Sequence, residues 1–139
     1  MMPVFFDTNI LVYCTDATHQ RKQTLARQAV AKASLSGDAW ISTQVLIELY
    51  NVLTRKQKIP VQAAQVVVLG YTAWPVVESD VELVTSAMDL SARHRLSIWD
   101  AMVLVAATRC GAQTLYTEDL QHGQQFGPLT VVNPFITAS

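Results

Sequence analysis

Seven consecutive residues, Ala101-Met102-Val103-Leu104-Val105-Ala106-Ala107, would place apolar side chains on every face of a helix, so the fold must enclose this segment within other elements. Ser97-Ile98-Trp99-Asp100 supplies a capping box before it and Gly111 a stop after it, which predicts one central buried helix. Around that helix, short apolar runs alternate with helical patterns. Pro3 to Phe6, Ala39 to Ile41, Thr114 to Tyr116 and, after a Gly-containing loop, Leu129 to Val132 read as strands, with Trp74-Pro75-Val76-Val77 as an edge strand or loop. Helices are expected from about Gln20 to Ser36, stopped by Gly37, and from Thr43 to Arg55, capped by Ser42. Two more are expected, from Pro60 to about Thr72 and from a Ser79-Asp80-Val81-Glu82 capping box to about Arg95. This alternation predicts an α/β fold, a short parallel sheet flanked by helices, in a single domain over residues 1–139.

The bulk properties narrow the class of protein. Half of the 139 residues are hydrophobic and only 15% are charged, so the core is large for the length. No apolar run approaches the roughly 20 residues of a membrane span. The N-terminus lacks the basic and long apolar regions of an export signal, and Cys14 and Cys110 lack metal spacing, so both read as reduced thiols of a cytoplasmic protein. A net charge of −1 offers no support for general nucleic-acid binding, so any such role must rest on local features.

The local feature that stands out is a set of four acids, Asp7, Glu48, Asp100 and Asp119, each beside or inside an apolar run. A carboxylate taken out of water costs several kcal/mol unless a cation or hydrogen-bond donors compensate it. Most of the ten Lys and Arg residues stand elsewhere, in Arg21-Lys22, Arg55-Lys56-Gln57-Lys58 and Arg93-His94-Arg95. Asp7 and Asp119 follow strands and Asp100 opens a helix, so these three can converge at the carboxyl edge of a parallel sheet, where ligands bind. Each also has a structural reading: Asp7 or Asn9 can cap a helix beginning near Ile10, Asp119 can serve a turn, and Asp100 completes a capping box. Glu48 has none, because it lies mid-helix on the apolar stripe of Val45, Leu49 and Val52.

An all-oxygen set favours Mg²⁺ or Mn²⁺ over zinc, and such ions support hydrolysis at phosphorus. Asn9 can cap a helix or orient Asp7, and Thr117 can end a strand or hydrogen-bond a carboxylate or metal-bound water. His19, His94 and His122 read as surface or structural residues. The Arg55-to-Lys58 cluster reads as a helix C-terminus favouring cations, with substrate contact as the alternative.

Several segments, in order, resemble the PIN-domain ribonucleases and, within them, the VapC-type toxins of bacterial toxin–antitoxin pairs. They are Phe5-Phe6-Asp7-Thr8-Asn9-Ile10-Leu11-Val12-Tyr13, Ser42-Thr43-Gln44-Val45-Leu46-Ile47-Glu48-Leu49-Tyr50, Trp99-Asp100-Ala101, Thr117-Glu118-Asp119-Leu120 and Val131-Val132-Asn133-Pro134-Phe135. The resemblance implies Asp7, Glu48 and Asp100 as the principal metal-binding acids, Asp119 completing the site, and Thr117 and Asn9 in support. It also implies Mg²⁺- or Mn²⁺-dependent RNA cleavage, homodimerisation and neutralisation by a small antitoxin. Whether Glu118 reaches the metal stays open. Two other readings are a haloacid-dehalogenase-like phosphatase, which needs an Asp where Asn9 stands, and a noncatalytic RNA- or protein-binding domain that uses metal for stability.

Overall fold

The structure, a computed structural model, describes residues 2–136. Its sheet has six strands: β1 (Val4–Phe6), β2 (Ala39–Ser42), β3 (Val76–Val77), β4 (Thr114–Tyr116), β5 (Gln125–Phe126) and β6 (Leu129–Val132), in the spatial order β3-β2-β1-β4-β6-β5. All neighbours pair in parallel except β5 with β6. The sheet is therefore mixed, with one antiparallel edge. Gln125 and Phe126 fall in the stretch expected to be a loop. Gly127, at φ 60°, turns them directly onto β6, a backbone conformation for which glycine is suited in a two-residue hairpin.

Six α-helices flank the sheet: α1 (Thr8–Tyr13), α2 (Gln20–Leu35), α3 (Thr43–Arg55), α4 (Val61–Gly70), extended by a 3-10 turn (Tyr71–Ala73), α5 (Val81–His94) and α6 (Ile98–Arg109). As its sequence requires, α6 is the central one. Ala101, Met102, Val103, Leu104, Ala106 and Ala107 are all buried. In α3, Val45, Leu49 and Leu53 join the core, and Phe5, Phe6, Ile41, Leu115 and Val131 supply its sheet side. None of the helices among the described residues is long and apolar enough to cross a membrane.

Two local expectations are corrected. The cap of α5 is Asp80, whose Oδ1 accepts from Leu83 N–H at 2.9 Å, and not Ser79. Ser79 is drawn away by Thr43 on α3, with its amide donating to Thr43 Oγ1 at 3.0 Å. Pro60 stands as the N-cap of α4 rather than inside its first turn.

The chain order places the functional edge. From β1 the chain adds β2 and β3 on one side, then returns to add β4 and β6 on the other, so strand order reverses between β1 and β4. In open α/β sheets a ligand crevice forms outside the carboxyl ends of strands at such a point. Asp7 is the residue after β1, and Thr117-Glu118-Asp119 follow β4.

Candidate active site

Asp7 does two jobs at once. As the N-cap of α1 its Oδ1 accepts from the Thr8 amide at 2.8 Å, while its own amide donates to Tyr116 carbonyl at 3.0 Å. Its Oδ2 accepts from Thr117 Oγ1 at 2.8 Å. At 6% exposure it is buried, and burial pushes its carboxyl up to about 7, with Asp119 and Glu48 adding to the rise against the opposing bonds from Thr117 and Thr8. The capping role, one of the alternatives in the sequence, is realised.

Asn9 ties the two strand ends together. Its Nδ2 lies 3.0 Å from Asp119 Oδ2, 3.2 Å from Thr117 Oγ1 and 3.4 Å from Asp7 Oδ2, and its Oδ1 accepts from the Glu118 amide at 3.3 Å. Thr117 Oγ1 also accepts from the Asp119 amide at 3.1 Å. Thr117 is fully buried, which marks its hydroxyl as a fixed part of the site.

Glu48 and Asp100 enter from α3 and the first turn of α6. Burial raises the Glu48 carboxyl, and the charges of Asp119 and Asp100 raise it further, against Gln44 and Thr8 nearby. Its Oε1 is buried and has no hydrogen-bond partner, as is Thr8 Oγ1. Burial also raises Asp100, against the Ser97 hydroxyl and with a further rise from Asp119. Ser97 Oγ does cap α6, accepting from the Asp100 amide at 3.0 Å. Gln44, one turn before Glu48, donates to Trp99 carbonyl at 3.2 Å and so fixes α3 to the start of α6. The charge of Asp119 raises each of the other three acids, and Asp7, Glu48 and Asp119 line one cleft, whereas Asp100 is not among its lining residues.

Glu118 lines the same cleft as Asp7, Glu48 and Asp119, but its carboxylate is taken up by other partners. Its Oε1 accepts from Tyr13 Oη at 2.8 Å and its Oε2 from Lys22 Nζ at 2.9 Å, with Lys22 also over the Tyr13 and Phe135 rings. This fifth acid is a clasp between α1, α2 and the β4 loop. A cleft of about 310 Å³ connects Asp7, Glu48 and Asp119 with Asn9, Tyr13, Asp16, His19 and Lys56. A larger depression of about 660 Å³ between α5, α6 and β5 lacks such an acid cluster.

The donor chemistry suits a hard cation. Among the described residues, no three His, Cys, Asp or Glu groups lie close enough together to hold a metal as the side chains stand. The unpartnered Glu48 oxygen and the buried Asp7, neither with a Lys or Arg ion pair among the described residues, are the features that a divalent cation would satisfy. Thr8, Gln44 and Tyr13 were not singled out as site residues by sequence reasoning. For Gln44, its place one helical turn before Glu48 is a usable signal.

The fold and these acids define a small α/β domain with an all-oxygen candidate metal centre at the switch point of its sheet. The chain belongs to the PIN domain family, whose model matches residues 4–124. Three solved structures are similar to it. A toxin–antitoxin complex from Klebsiella pneumoniae is 18% identical at a TM-score of 0.71, over 94% of this chain and 97% of that one. VapC20 of Mycobacterium tuberculosis, a sarcin-ricin-loop-cleaving toxin, is 22% identical at 0.61, over 81% and 86%. VapBC2 from Rickettsia felis, bound to a DNA fragment from its promoter, is 16% identical at 0.65, over 94% and 97%. At these identities the likeness is one of fold. No curated protein matches the chain in sequence.

Proposed function

We propose that this PIN domain is a metal-dependent endoribonuclease and the toxin of a toxin–antitoxin pair, with Asp7, Glu48, Asp100 and Asp119 holding Mg²⁺ or Mn²⁺. The observation that carries the reading is Asp7, buried at the switch point, raised to about 7 by burial and by the charges of Asp119 and Glu48, and with no ion pair among the described residues. When bound, a hard divalent cation supplies a nucleophilic water at neutral pH and charge stabilisation at a phosphoryl oxygen. The protein's own residues set the stage for that chemistry. Thr117 and the Thr8 amide fix both oxygens of Asp7, and the Asn9 amide group bridges Asp7 and Asp119. Gln44 sets the distance between the helices that carry Glu48 and Asp100.

A toxin role follows from the family together with the three toxin or toxin–antitoxin structures of the same fold, and it brings with it a small antitoxin partner and homodimerisation. The phosphatase alternative loses support. Asn9 occupies the place that chemistry reserves for a second acid, and its side chain is committed to Asp7, Thr117 and Asp119.

Purified protein incubated with total bacterial RNA in Mg²⁺, Mn²⁺ or chelator tests the reading, with Asp7→Asn and Asp100→Asn as comparators. Cleavage that needs metal and disappears in both folded variants is expected. Equal cleavage by the variants, free of host nuclease, would sink it. Growth arrest on expression, relieved by the adjacent gene product, tests the toxin role separately.

A further inference from the structure

The acid cleft continues past its carboxylates to His19 and Lys56, and a second depression of about 420 Å³ shares Asp16 and Lys56 with it before reaching Thr18 and Gln57. The two hollows meet at the turn between α1 and α2 and the C-terminal end of α3. An RNA strand brings a phosphate on each side of the one being cleaved, and four carboxylates repel those neighbours. Such a strand needs cations beside the acids but outside their cluster.

Lys56 meets that need. It is the C-cap of α3, where carbonyl groups favour a positive charge, and it makes no ion pair among the described residues. Lys22, the other lysine near the site, is already held by Glu118 at 2.9 Å. His19 stands at the N-cap of the 16-residue α2, which has neither a side-chain cap nor an acid in its first turn, so the positive end of that helix lies beside the ring. Its Nδ1 lies 2.8 Å from Asp16 Oδ2, and the ring packs in a T-shaped contact with Tyr13, 5.7 Å between centroids. Asp16 is itself fixed by the Thr18 amide at 3.0 Å and by the Thr18 hydroxyl. Nε2 is left for a ligand. Gln57 locks the walls together, accepting from Thr15 Oγ1 at 2.8 Å and donating to Val12 carbonyl at 3.2 Å.

We infer that Lys56 and the Asp16-oriented His19 form a phosphate subsite next to the acid cluster, which leads the RNA backbone from the acids across the α1–α2 turn. The subsite rests on the nuclease reading. It also gives the Arg55-to-Lys58 cluster a substrate contact.

The test uses the full chain and two readouts: cleavage of total bacterial RNA at limiting and saturating RNA, and anisotropy of a short fluorescein-labelled mixed-sequence RNA in the Asp7→Asn background across salt. Lys56→Gln and His19→Ala should each raise KM about tenfold, as the loss of a charge-assisted contact would, with kcat reduced no more than about twofold. The slope of log affinity against log salt should fall by about 0.7 for Lys56→Gln, and Lys56→Arg should restore both values. Circular dichroism confirms folding, and Lys56→Ala serves as the second variant. Wild-type cleavage with KM and salt slope unchanged in these variants, or a loss confined to kcat, overturns the subsite and leaves the nuclease standing. A wild-type protein that neither cleaves nor binds RNA overturns both.

Discussion

The Thr117 hydroxyl donates to Asp7 Oδ2 across 2.8 Å, joining the residue after β4 to the residue after β1 within the core. This bond makes two distant segments one rigid half of the site, and its removal is directly measurable. Thr117→Val would leave a buried carboxylate oxygen short of a donor and cost about 1–3 kcal/mol. Metal affinity should drop about tenfold or more, because the carboxylate loses the partner that orients it. Thr117→Ser should retain both. Chemical denaturation and calorimetric titration with Mn²⁺ check the pair, and a Val variant matching wild type in both would exclude this role for the hydroxyl.

The raised carboxyl of Asp7 predicts how stability depends on pH in chelator. Folded Asp7 keeps its proton up to about 7, whereas an unfolded Asp releases it near 3.8. The folded state therefore binds the extra proton in between, so its stability contribution is complete below about pH 4 and is lost as pH rises to about 7, by at most about 4 kcal/mol. Melting temperature should fall from pH 5 to pH 8, and Asp7→Asn should flatten the decline. A melting temperature that rises over this range in wild type would contradict the assignment.

Metal should act in the opposite sense. At pH 8, Mg²⁺ or Mn²⁺ at about a hundred times its dissociation constant should stabilise the fold by about 2.7 kcal/mol, and at pH 5 by much less, because protonated acids bind cations poorly. Glu48→Gln should reduce the pH 8 gain. Thermal shift titrations at the two pH values are sufficient, and equal gains at both would argue against carboxylate ligation.

Neighbouring acids should separate cleanly in function. Asp119→Asn is expected to abolish cleavage, since Asp119 is the charge that reaches the other three acids. Glu118→Gln, which weakens only a partly exposed clasp with Lys22 and Tyr13, should keep most activity and lose no more than about 1 kcal/mol of stability. Parallel RNA-cleavage assays decide, and a dead Glu118→Gln variant would move that residue into the site.

Elements governed by local periodicity were readable in the sequence. The wholly apolar α6, the striped α3 and the acids at strand ends all lie where pattern and capping rules place them. What escaped depends on partners far along the chain. Ser79 looked like a cap until Thr43 drew it away, and β5, only two residues long, carries no alternation to detect. Glu118 and Asp119 are indistinguishable as sequence, and it takes Lys22 and Tyr13, on other elements, to turn one aside. His19 reads as a surface or structural residue in the sequence because its place beside the acid cleft depends on how the turn after α1 folds back.

The sheet begins and ends on strands of two residues, β3 and β5. Edges this short expose few unpaired backbone groups, so they offer a poor template for another chain's strand. A protein that recognises this domain gains little from pairing with its sheet and reads side chains instead, where specificity can be changed one residue at a time without disturbing the backbone ladder that positions the acids.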